Sequence, residues 1–424
     1  MNKQRFTSLV IILALLVALI PASASAAGGP PGNWASGISC QNLSSTQSAN
    51  VTLYFYQEDN SSPVLTYVDP NPVPASGFRG YYPPSSPPGV PDGFLGSGVV
   101  SSNTEMACNV NTETTAAGTK ADPYRKGTSA GFNQSQTATK MYAPQVMRLF
   151  YGYGSYISVQ NTSTTSSTTV TITYKDRAGV DVPGATESRT IPANTNHIFY
   201  QNDNTGLPLG SNGFVGAATI SSSGGIPIAV TTEFYASGAD FTTAQLHSYN
   251  GFSAGANKLL IPRFVRNYYG YNTGITIQNV GGGATTVQIK FNTVAGTSYT
   301  YNSGSIPVGA ALALYLPDVD ELDPMESLPL NQSYGNAIVQ AAPGGSVVAI
   351  VNEDNRGGVS KGYVVPENRI GQGSTYNAFA DGAQANTAFF PQVTDKAGGV
   401  FSGVFQFSNT TDVDGTCDIE WANT

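Results

Sequence analysis

The sequence predicts an all-β protein in which one β-sandwich pattern is repeated along the chain. The segments Ile-Ser-Cys-Gln-Asn at residues 38–42, Ile-Ser-Val-Gln-Asn at 157–161 and Ile-Thr-Ile-Gln-Asn at 275–279 are three versions of one strand, about 120 residues apart. A degenerate version, Phe-Gln-Phe-Ser-Asn, occupies residues 405–409. Because catalysis rarely needs the same residues in every copy, the repetition favours a scaffold over an enzyme with a single site.

Within each copy, apolar and polar residues alternate as they do in half-buried strands. In the second copy Val170, Ile172 and Tyr174 alternate with polar residues, and the same spacing recurs at residues 51–55 and 287–291. The glycines of residues 222–225 predict a hairpin between two strands, and the other copies predict the same. About seven short strands in a copy predict a two-sheet, immunoglobulin-like sandwich, so the fold class is a tandem array of such domains.

The chain begins with the features of a secretory signal peptide. Lys3 and Arg5 precede an apolar run at residues 9–20, and the small residues 24–26 form a cleavage site. Such a run is too short to span a bilayer. We therefore expect a signal peptide over residues 1–26, sandwiches over 27–138, 139–256 and 257–384, and an incomplete fourth repeat over 385–424.

The composition is typical of an extracellular β-protein. Only 11% of the residues are charged and the formal net charge is −8, so the chain offers no basic stripe for a phosphate backbone. We expect no nucleic-acid partner and no membrane span in the mature chain. The predicted location is extracellular or at the cell surface.

Three cysteines are present. Cys40 and Cys108 replace apolar residues of the other copies at positions that should face inward. In an oxidising compartment this predicts a Cys40–Cys108 disulfide, and the alternative is a pair of buried free thiols. Cys417 remains, and its partner is left open.

Both ends of the repeat array are incomplete. The first copy begins at Trp34 without the leading strand that the other copies have, and the fourth restarts the pattern and stops after three strands. Such a tail would leave open sheet edges and an apolar surface in water. One interpretation is strand donation, in which the tail of one subunit completes the head of the next in a head-to-tail filament. The other is that the sequence belongs to a longer array. The donor residues would be Phe389, Phe390, Val393, Phe405, Phe407, Ile419 and Trp421.

Two segments of the chain resemble a known kind of module. The segments Asn-Thr-Gly-Ile-Thr-Ile-Gln-Asn at residues 272–279 and Ser-Val-Val-Ala-Ile-Val-Asn-Glu at 346–353 are similar to tandem β-sandwich modules in secreted and surface proteins of filamentous green non-sulfur bacteria. The resemblance covers nearly the whole mature chain. It implies an extracellular surface, sheath or adhesion role and attaches no catalytic residues.

A match to a hydrolase motif occurs at residues 127–131, but its surroundings do not support catalysis. Residues 127–131 match the Gly-x-Ser-x-Gly pattern, which has meaning only on a strand-to-helix elbow beside a histidine. Here Ser129 lies in a connector, and His197 and His247 belong to the next copy. We therefore predict that the protein is not an enzyme, with a secreted hydrolase as the least favoured function.

One acidic loop is a candidate cation site. Asp318, Asp320 and Asp323 could supply oxygen ligands to Ca²⁺, although they do not follow the helix-flanked calcium loop. The alternative is a solvated acidic loop, which the sequence favours. No other cofactor is predicted.

Aromatic residues recur at one aligned position and beside it. Trp34, Tyr153 and Tyr271 share that position, and Tyr268 and Tyr269 lie next to it. Rings of this kind pack junctions between sandwiches, or stack on sugars and anchor partner proteins. The sequence favours junction packing. It predicts a structural or adhesive protein whose partners are copies of itself or other surface proteins, with binding of extracellular polysaccharide as the alternative.

Overall fold

The computed structural model describes residues 33–114, 126–236, 245–367, 370–388, 390, 406–410 and 414–419. The fold is all-β, with several antiparallel sheets, as the sequence predicts. The predicted signal peptide lies outside the described residues. In the part of the chain that is described, no helix is long and apolar enough to cross a membrane.

The first unit spans residues 33–130 and contains two sheets. One sheet has the strand order β4-β1-β6-β7 and the other β3-β2-β5. Between them lies a cluster of buried residues that includes Cys40, Leu53 and Phe55. The strands are β1 (Trp34–Asn42), β2 (Val51–Gln57), β3 (Pro63–Val68), β4 (Phe78–Tyr81), β5 (Gly96–Ser102), β6 (Met106–Thr114) and β7 (Lys126–Ala130).

The second unit, residues 132–252, repeats this plan with one more strand. Its sheets have the orders β11-β10-β13-β8 and β12-β9-β14-β15, and Ile172 and Phe234 lie in the core between them. The strands are β8 (Lys140–Arg148), β9 (Tyr153–Asn161), β10 (Thr168–Asp176), β11 (Glu187–Ile191), β12 (Asn196–Tyr200), β13 (Phe214–Ser222), β14 (Ile228–Ala236) and β15 (Leu246–Asn250), with 3-10 turns at Gln134–Gln136 and Pro183–Ala185.

The third unit, residues 256–380, has the sheet orders β19-β18-β21-β16-β26 and β20-β17-β22-β25, with a separate pair β23-β24. The strands are β16 (Lys258–Val265), β17 (Tyr271–Asn279), β18 (Val287–Thr293), β19 (Ser298–Asn302), β20 (Ala311–Tyr315), β21 (Tyr334–Ala341), β22 (Val347–Asn355), β23 (Val359–Ser360), β24 (Tyr363–Val364), β25 (Gly373–Asn377) and β26 (Phe379–Ala380), with 3-10 segments at Leu316–Asp318, Asp320–Ser327 and Leu330–Gln332.

The alternation predicted from the sequence is present in the third strand of the second unit and in its equivalents. In β10 the side chains of Val170, Ile172 and Tyr174 are buried, while the intervening threonines are at least partly exposed. Strands β2 and β18 show the same alternation. Period-two burial follows from the pleat, because successive side chains point to opposite faces of a sheet.

The predicted hairpins are wrong. Strand β13 pairs with β10 and β8, whereas β14 pairs with β9 and β15, so the two strands flanking the glycine-rich turn lie in different sheets. The turn, with Gly224 and Gly225 at φ +69° and +71°, crosses from one sheet to the other. Strands β5 and β6, and strands β21 and β22, are separated in the same way. A tight glycine turn serves both a hairpin within one sheet and a crossover between two sheets. The glycines alone therefore could not distinguish these two connections.

The asparagine that ends each repeated strand explains why the motif recurs. Asn161 is fully buried. Its Nδ2 donates hydrogen bonds to the carbonyls of Ile191 and Pro192, each at 3.1 Å, and its Oδ1 accepts from the backbone N–H of Ser163 at 2.9 Å. Asn42 and Asn279 are buried in the same way; Asn42 makes all three equivalent bonds, and Asn279 makes those to Ile306 and Gly281. A buried amide that holds a loop in this way is costly to replace.

In the described part of the first unit, which begins at residue 33, no leading strand pairs with the sheet. In the second unit β13 pairs with β10 on one side and with β8 on the other, and in the third unit β21 lies between β18 and β16. Among the described residues, the equivalent strand β5 pairs with β2 alone. One edge of β5 therefore has no pairing strand in the described part of the chain.

The predicted disulfide is confirmed. Cys40 and Cys108 face each other on the neighbouring strands β1 and β6, and their sulfurs are bonded. Cys40 is fully buried in the core cluster, whereas Cys417 is an exposed free cysteine. The bond closes a loop with a sequence separation of 68.

We expect the double variant Cys40→Val/Cys108→Val to lower the free energy of unfolding by about 2–4 kcal/mol, because the unfolded chain loses a long covalent loop. The valines fit because the equivalent strand position in the second unit is Val159. Chemical denaturation of the mature protein, followed by tryptophan fluorescence, measures the change. Cys417→Ser is the matched control and should unfold like the wild type; equal stability of all three proteins would contradict the prediction.

Candidate functional site

The contacts between units form the most elaborate polar site in the described residues. A turn of the first unit, residues 57–60, lies on the edge strand β12 of the second unit. The N–H of Asp59 donates to the carbonyl of Asn196 at 3.1 Å, and the hydroxyl of Thr195 donates to the carbonyl of Gln57 at 2.9 Å. We call residues 57–60 the first docking turn, and residues 192–197 the second receiving loop.

Charged side chains reinforce this first junction. The Nδ1 of His197 lies 3.0 Å from a carboxylate oxygen of Glu58 and 3.1 Å from one of Asp59, and Arg189 donates to Asp59 at 2.7 Å. Burial lowers the pKa of His197, but its hydrogen bond with Glu58 and the charges of Asp59 and Glu58 outweigh burial and raise the pKa above its usual value. The histidine therefore favours its charged form at this junction.

Glu58, Asp59 and His197 also lie close enough together to be considered as metal ligands. The ion pair from Arg189 to Asp59 argues against a cation there, because the guanidinium already neutralises one of the carboxylates. We interpret the cluster as an ion-pair network that holds the two units together. The sequence alone does not reveal this cluster, because the histidine lies about 140 positions after the two acidic residues.

The second junction uses the equivalent turn with different chemistry. Residues 176–179, the second docking turn, lie on the third receiving loop, residues 307–312. A Cβ on Gly179 would be 2.8 Å from the ring of Pro307, so the backbones approach closely. Gln145 adds a polar contact, because its Oε1 accepts hydrogen bonds from Thr276 at 2.7 Å and Asn352 at 3.0 Å. This junction is close-packed, and Ile350 of the third unit joins the hydrophobic core cluster of the second.

A short part of the fourth repeat contacts the third unit in an equivalent place. Gln406 donates to the carbonyl of Pro262 at 2.9 Å, and its Oε1 accepts from Arg263 at 3.3 Å. Arg263 corresponds to Gln145, and Gln406 corresponds to Thr276 in the repeated strand motif. The described residues 406–410 therefore lie where the second strand of a fourth unit would lie.

The equivalent strands β7, β15 and β25 of the three units meet beside one another. Asn250 donates from its side chain to the carbonyl of Ala130 at 2.9 Å, and Asn377 donates to the carbonyl of Asn250 at 2.6 Å. His247 lies 2.8 Å from the hydroxyl of Thr375. Burial lowers the pKa of His247 to about 4, so this histidine is neutral at physiological pH.

One buried carboxyl group has an unusual pKa. Burial raises the pKa of Glu233 to about 7, although hydrogen bonds from Tyr156 and Ser248 partly oppose the change. Such a pKa is typical of a general acid or base. Glu233 is buried, however, so this hydrogen-bonded group has no access to a substrate in this conformation.

The aromatic turns of the second and third units have the same backbone. Phe150 and Tyr153 exchange two backbone hydrogen bonds of 2.9 Å across a turn in which Tyr151 and Gly152 have positive φ. Residues 268–271 repeat the geometry. Positive φ at both central positions is the signature of a type I′ hairpin turn, which explains the glycine at the second of them.

Tyr153 and Tyr271 take part in contacts within or between units. The hydroxyl of Tyr153 donates to Gln245 at 2.7 Å, and burial raises the pKa of Tyr153 to about 12. The hydroxyl of Tyr271 donates to Gln372. Trp34 is half-buried at the start of β1. The hydroxyl bonds of Tyr153 and Tyr271 each lie within one unit, so the packing of junctions by these rings stays a prediction.

Tyr268 and Tyr269 belong to a ring cluster on the third unit. Their ring centroids are 4.9 Å apart at 86°, and Tyr268 and Tyr269 contact Tyr334 and Tyr363 at 5.2 Å and 5.1 Å. Arg263 lies over the ring of Tyr268 at 5.4 Å. The cluster is partly exposed, so its role as a binding surface stays a prediction.

The acidic loop holds a buried arginine. Asp323 and Glu326 accept hydrogen bonds from Arg266 at 2.8 Å and 2.7 Å, and the side chain of Arg266 is only 3% exposed. Asp318 and Asp320 are exposed. Asp318, Asp320 and Asp323 are not among the described groups whose ligand atoms converge within 4.8 Å. The ion pairs of Arg266 therefore give Asp323 and Glu326 a structural role in this loop.

The remaining candidate residues are partly outside the described region. Ser129 lies on strand β7 opposite Val110, not on a strand-to-helix elbow. Phe390 and Phe407 are exposed, with ring centroids 6.0 Å apart, and Ile419 is also exposed. The other proposed donor residues, Phe389, Val393, Phe405 and Trp421, lie outside the described residues.

Comparison with known proteins identifies no relative that carries a function. No protein-family model matches the chain, and no curated protein is similar to it. Among solved structures, the crystal structure of Thermotoga maritima 1070 has 17% sequence identity and a TM-score of 0.21; the match covers 30% of this chain and 95% of that one. A likeness of this size says nothing about function.

The pKa values of the two histidines should lie on opposite sides of the usual value of about 6.5. We expect the midpoint of His197 above that value and the midpoint of His247 at about 4. Histidine ring proton shifts in NMR measure both, because the chain has 2 histidines. His197→Gln and His247→Gln each remove one signal and so assign them; a midpoint for His197 below 6.5 would contradict the ion-pair network.

The sign of each contribution to stability follows from linkage. Because the pKa of His197 is raised in the folded state, its contribution is complete below about pH 6.5 and is lost as pH rises through the folded pKa. His247 behaves oppositely, since its lowered pKa makes folding less favourable as pH falls from about 6.5 towards 4. The two glutamine variants should each lose one of these dependences.

Proposed function

We propose that the protein is an exported structural or adhesive element of the cell surface, built from tandem immunoglobulin-like sandwiches and joined head to tail. The open edge of β5 is the observation that carries this proposal. An open strand edge presents unpaired N–H and C=O groups and is a template for another strand. Within the described ranges, the first unit has such an edge at the place where the next two units are covered by their own leading strands.

The donor strand is the restart of the pattern at residues 389–393, Phe-Phe-Pro-Gln-Val. Its proline occupies the position of Pro144 and Pro262 in the leading strands β8 and β16. Each of those prolines lies at a register shift of the sheet. Proline is tolerated in a strand at such irregularities, so the donor sequence is compatible with pairing to β5.

A tail strand that pairs with the first unit of another copy makes a heterologous contact. Contacts of this type close into a ring or continue as a filament. The repeated units supply stiffness, because every described junction is held by hydrogen bonds and close packing and not by a flexible linker. A mechanical role also fits the exported character that the composition predicts.

Deletion of residues 387–424 should leave monomers, because it removes the donor strand. Electron microscopy and sedimentation velocity of the mature protein measure the assembly. Deletion of residues 396–424 alone is the matched control, since it keeps residues 389–393 and should still assemble. Polymers of unchanged length after the larger deletion, or a wild-type protein that stays monomeric, would dismiss strand donation.

Carbohydrate binding is a second candidate function, favoured by the partly exposed tyrosine cluster around Tyr268 and Tyr269. Aromatic faces can stack on sugar rings. If this is the function, Tyr268→Ala/Tyr269→Ala should abolish pull-down by cell-wall or matrix polysaccharides. Tyr151→Ala is the control, because Tyr151 occupies the equivalent turn of the second unit and is 66% exposed. Absence of binding by the wild type would end this alternative.

A further inference from the structure

The third unit has a docking turn of its own. Residues 293–296 follow β18 as residues 57–60 follow β2 and residues 176–179 follow β10. All three turns close with the same backbone hydrogen bond, seen in the third as Gly296 N–H to the carbonyl of Thr293 at 3.0 Å. We call residues 293–296 the third docking turn.

The third docking turn is uncovered among the described residues. Val294 is 51% exposed, and a Cβ on Gly296 would meet no atom within 4 Å. In the second docking turn, by contrast, a Cβ on Gly179 would clash with the receiving loop. The same turn is therefore buried in one junction and open to solvent in the next.

The first unit carries the opposite half of the contact. Residues 74–79, the first receiving loop, lead into the edge strand β4 as residues 192–197 lead into β12 and residues 307–312 into β20. Each of the three loops has a proline and, two positions later, a residue with positive φ: Ser76 at 56°, Asn194 at 66° and Gly309 at 77°. Ser76 is exposed, whereas Asn194 and Gly309 are half-buried under a docking turn.

We propose that the third docking turn of one copy binds the first receiving loop of a second copy. The interface continues a contact that the chain already makes twice within itself. At the first junction its main-chain bond runs from Asp59 N–H to the carbonyl of Asn196. In the intermolecular junction the corresponding groups are the N–H of Ala295 and the carbonyl of Phe78, with Val294 supplying apolar surface.

This contact rests on the proposed head-to-tail assembly and specifies its geometry. The first unit of the incoming copy takes the place of a fourth unit, so its β5 faces the donor strand while β4 receives the docking turn. Its strand β1 then replaces residues 406–410, which lie against Arg263 in the single chain. Both uncovered edges of the first unit are closed by one partner.

Cysteine cross-linking between two differently tagged copies tests the contact. One copy carries Ala295→Cys and the other Arg79→Cys, both with Cys417→Ser to remove the exposed thiol. We expect a disulfide-linked heterodimer after mild oxidation, because these positions correspond to Asp59 and His197, whose side chains lie 3.1 Å apart. The variant Asp59→Cys/His197→Cys is the internal positive control and should cross-link within one chain.

Ser305→Cys mixed with Arg79→Cys is the negative control, because Ser305 is exposed outside the docking turn. A heterodimer yield for Ala295→Cys no higher than for Ser305→Cys would overturn the proposed contact. If the wild type polymerises without this cross-link, strand donation stands and only the docking contact is wrong. If the cross-link forms but the deletion of residues 387–424 does not affect assembly, the docking contact stands without strand donation.

Discussion

Coverage of the sheet edges is the constraint on which the arrangement of the units depends. An exposed edge strand is prone to pair with other chains, so folded β-proteins protect it. Here the edge strand β12 is covered by the first docking turn, and the third receiving loop beside β20 lies under the second. Leading strands cover β13 and β21. Among the described residues, β4 and β5 of the first unit have neither kind of cover, and the proposed assembly would supply both.

The sequence was sufficient to predict the features that depend on neighbouring residues or on the repeat itself. The alternation of Val170, Ile172 and Tyr174 follows directly from the pleat, and the disulfide follows from two cysteines placed on equivalent inward positions. The Gly224–Gly225 turn shows where this reasoning fails. Sheet membership is decided by the non-local partners of β13 and β14, and a tight turn contains no information about them.

The junction residues could not be predicted, because the units share the shape of the contact and not its residue types. The positions of Glu58 and Asp59 are occupied by arginine and alanine in the second docking turn and by valine and alanine in the third. An alignment of the repeats therefore shows no common chemistry there.

The acidic loop was misleading for a related reason: its partner Arg266 lies about 60 positions earlier, so the sequence displays the carboxylates without the cation that they bind.

These differences in chemistry give the order of the units a physical basis. The carboxylates of the first docking turn pair with His197 and Arg189, and a turn without them would leave both side chains without these partners. The third docking turn carries Val294 in place of Glu58, so it is disfavoured on the second receiving loop. Specificity is a difference between affinities, and an unpaired charge against the wrong partner is an effective way to create it. The first receiving loop, with Phe78 before Arg79, offers an apolar surface to that turn, while Arg79 is already engaged with Asp69 in its own unit.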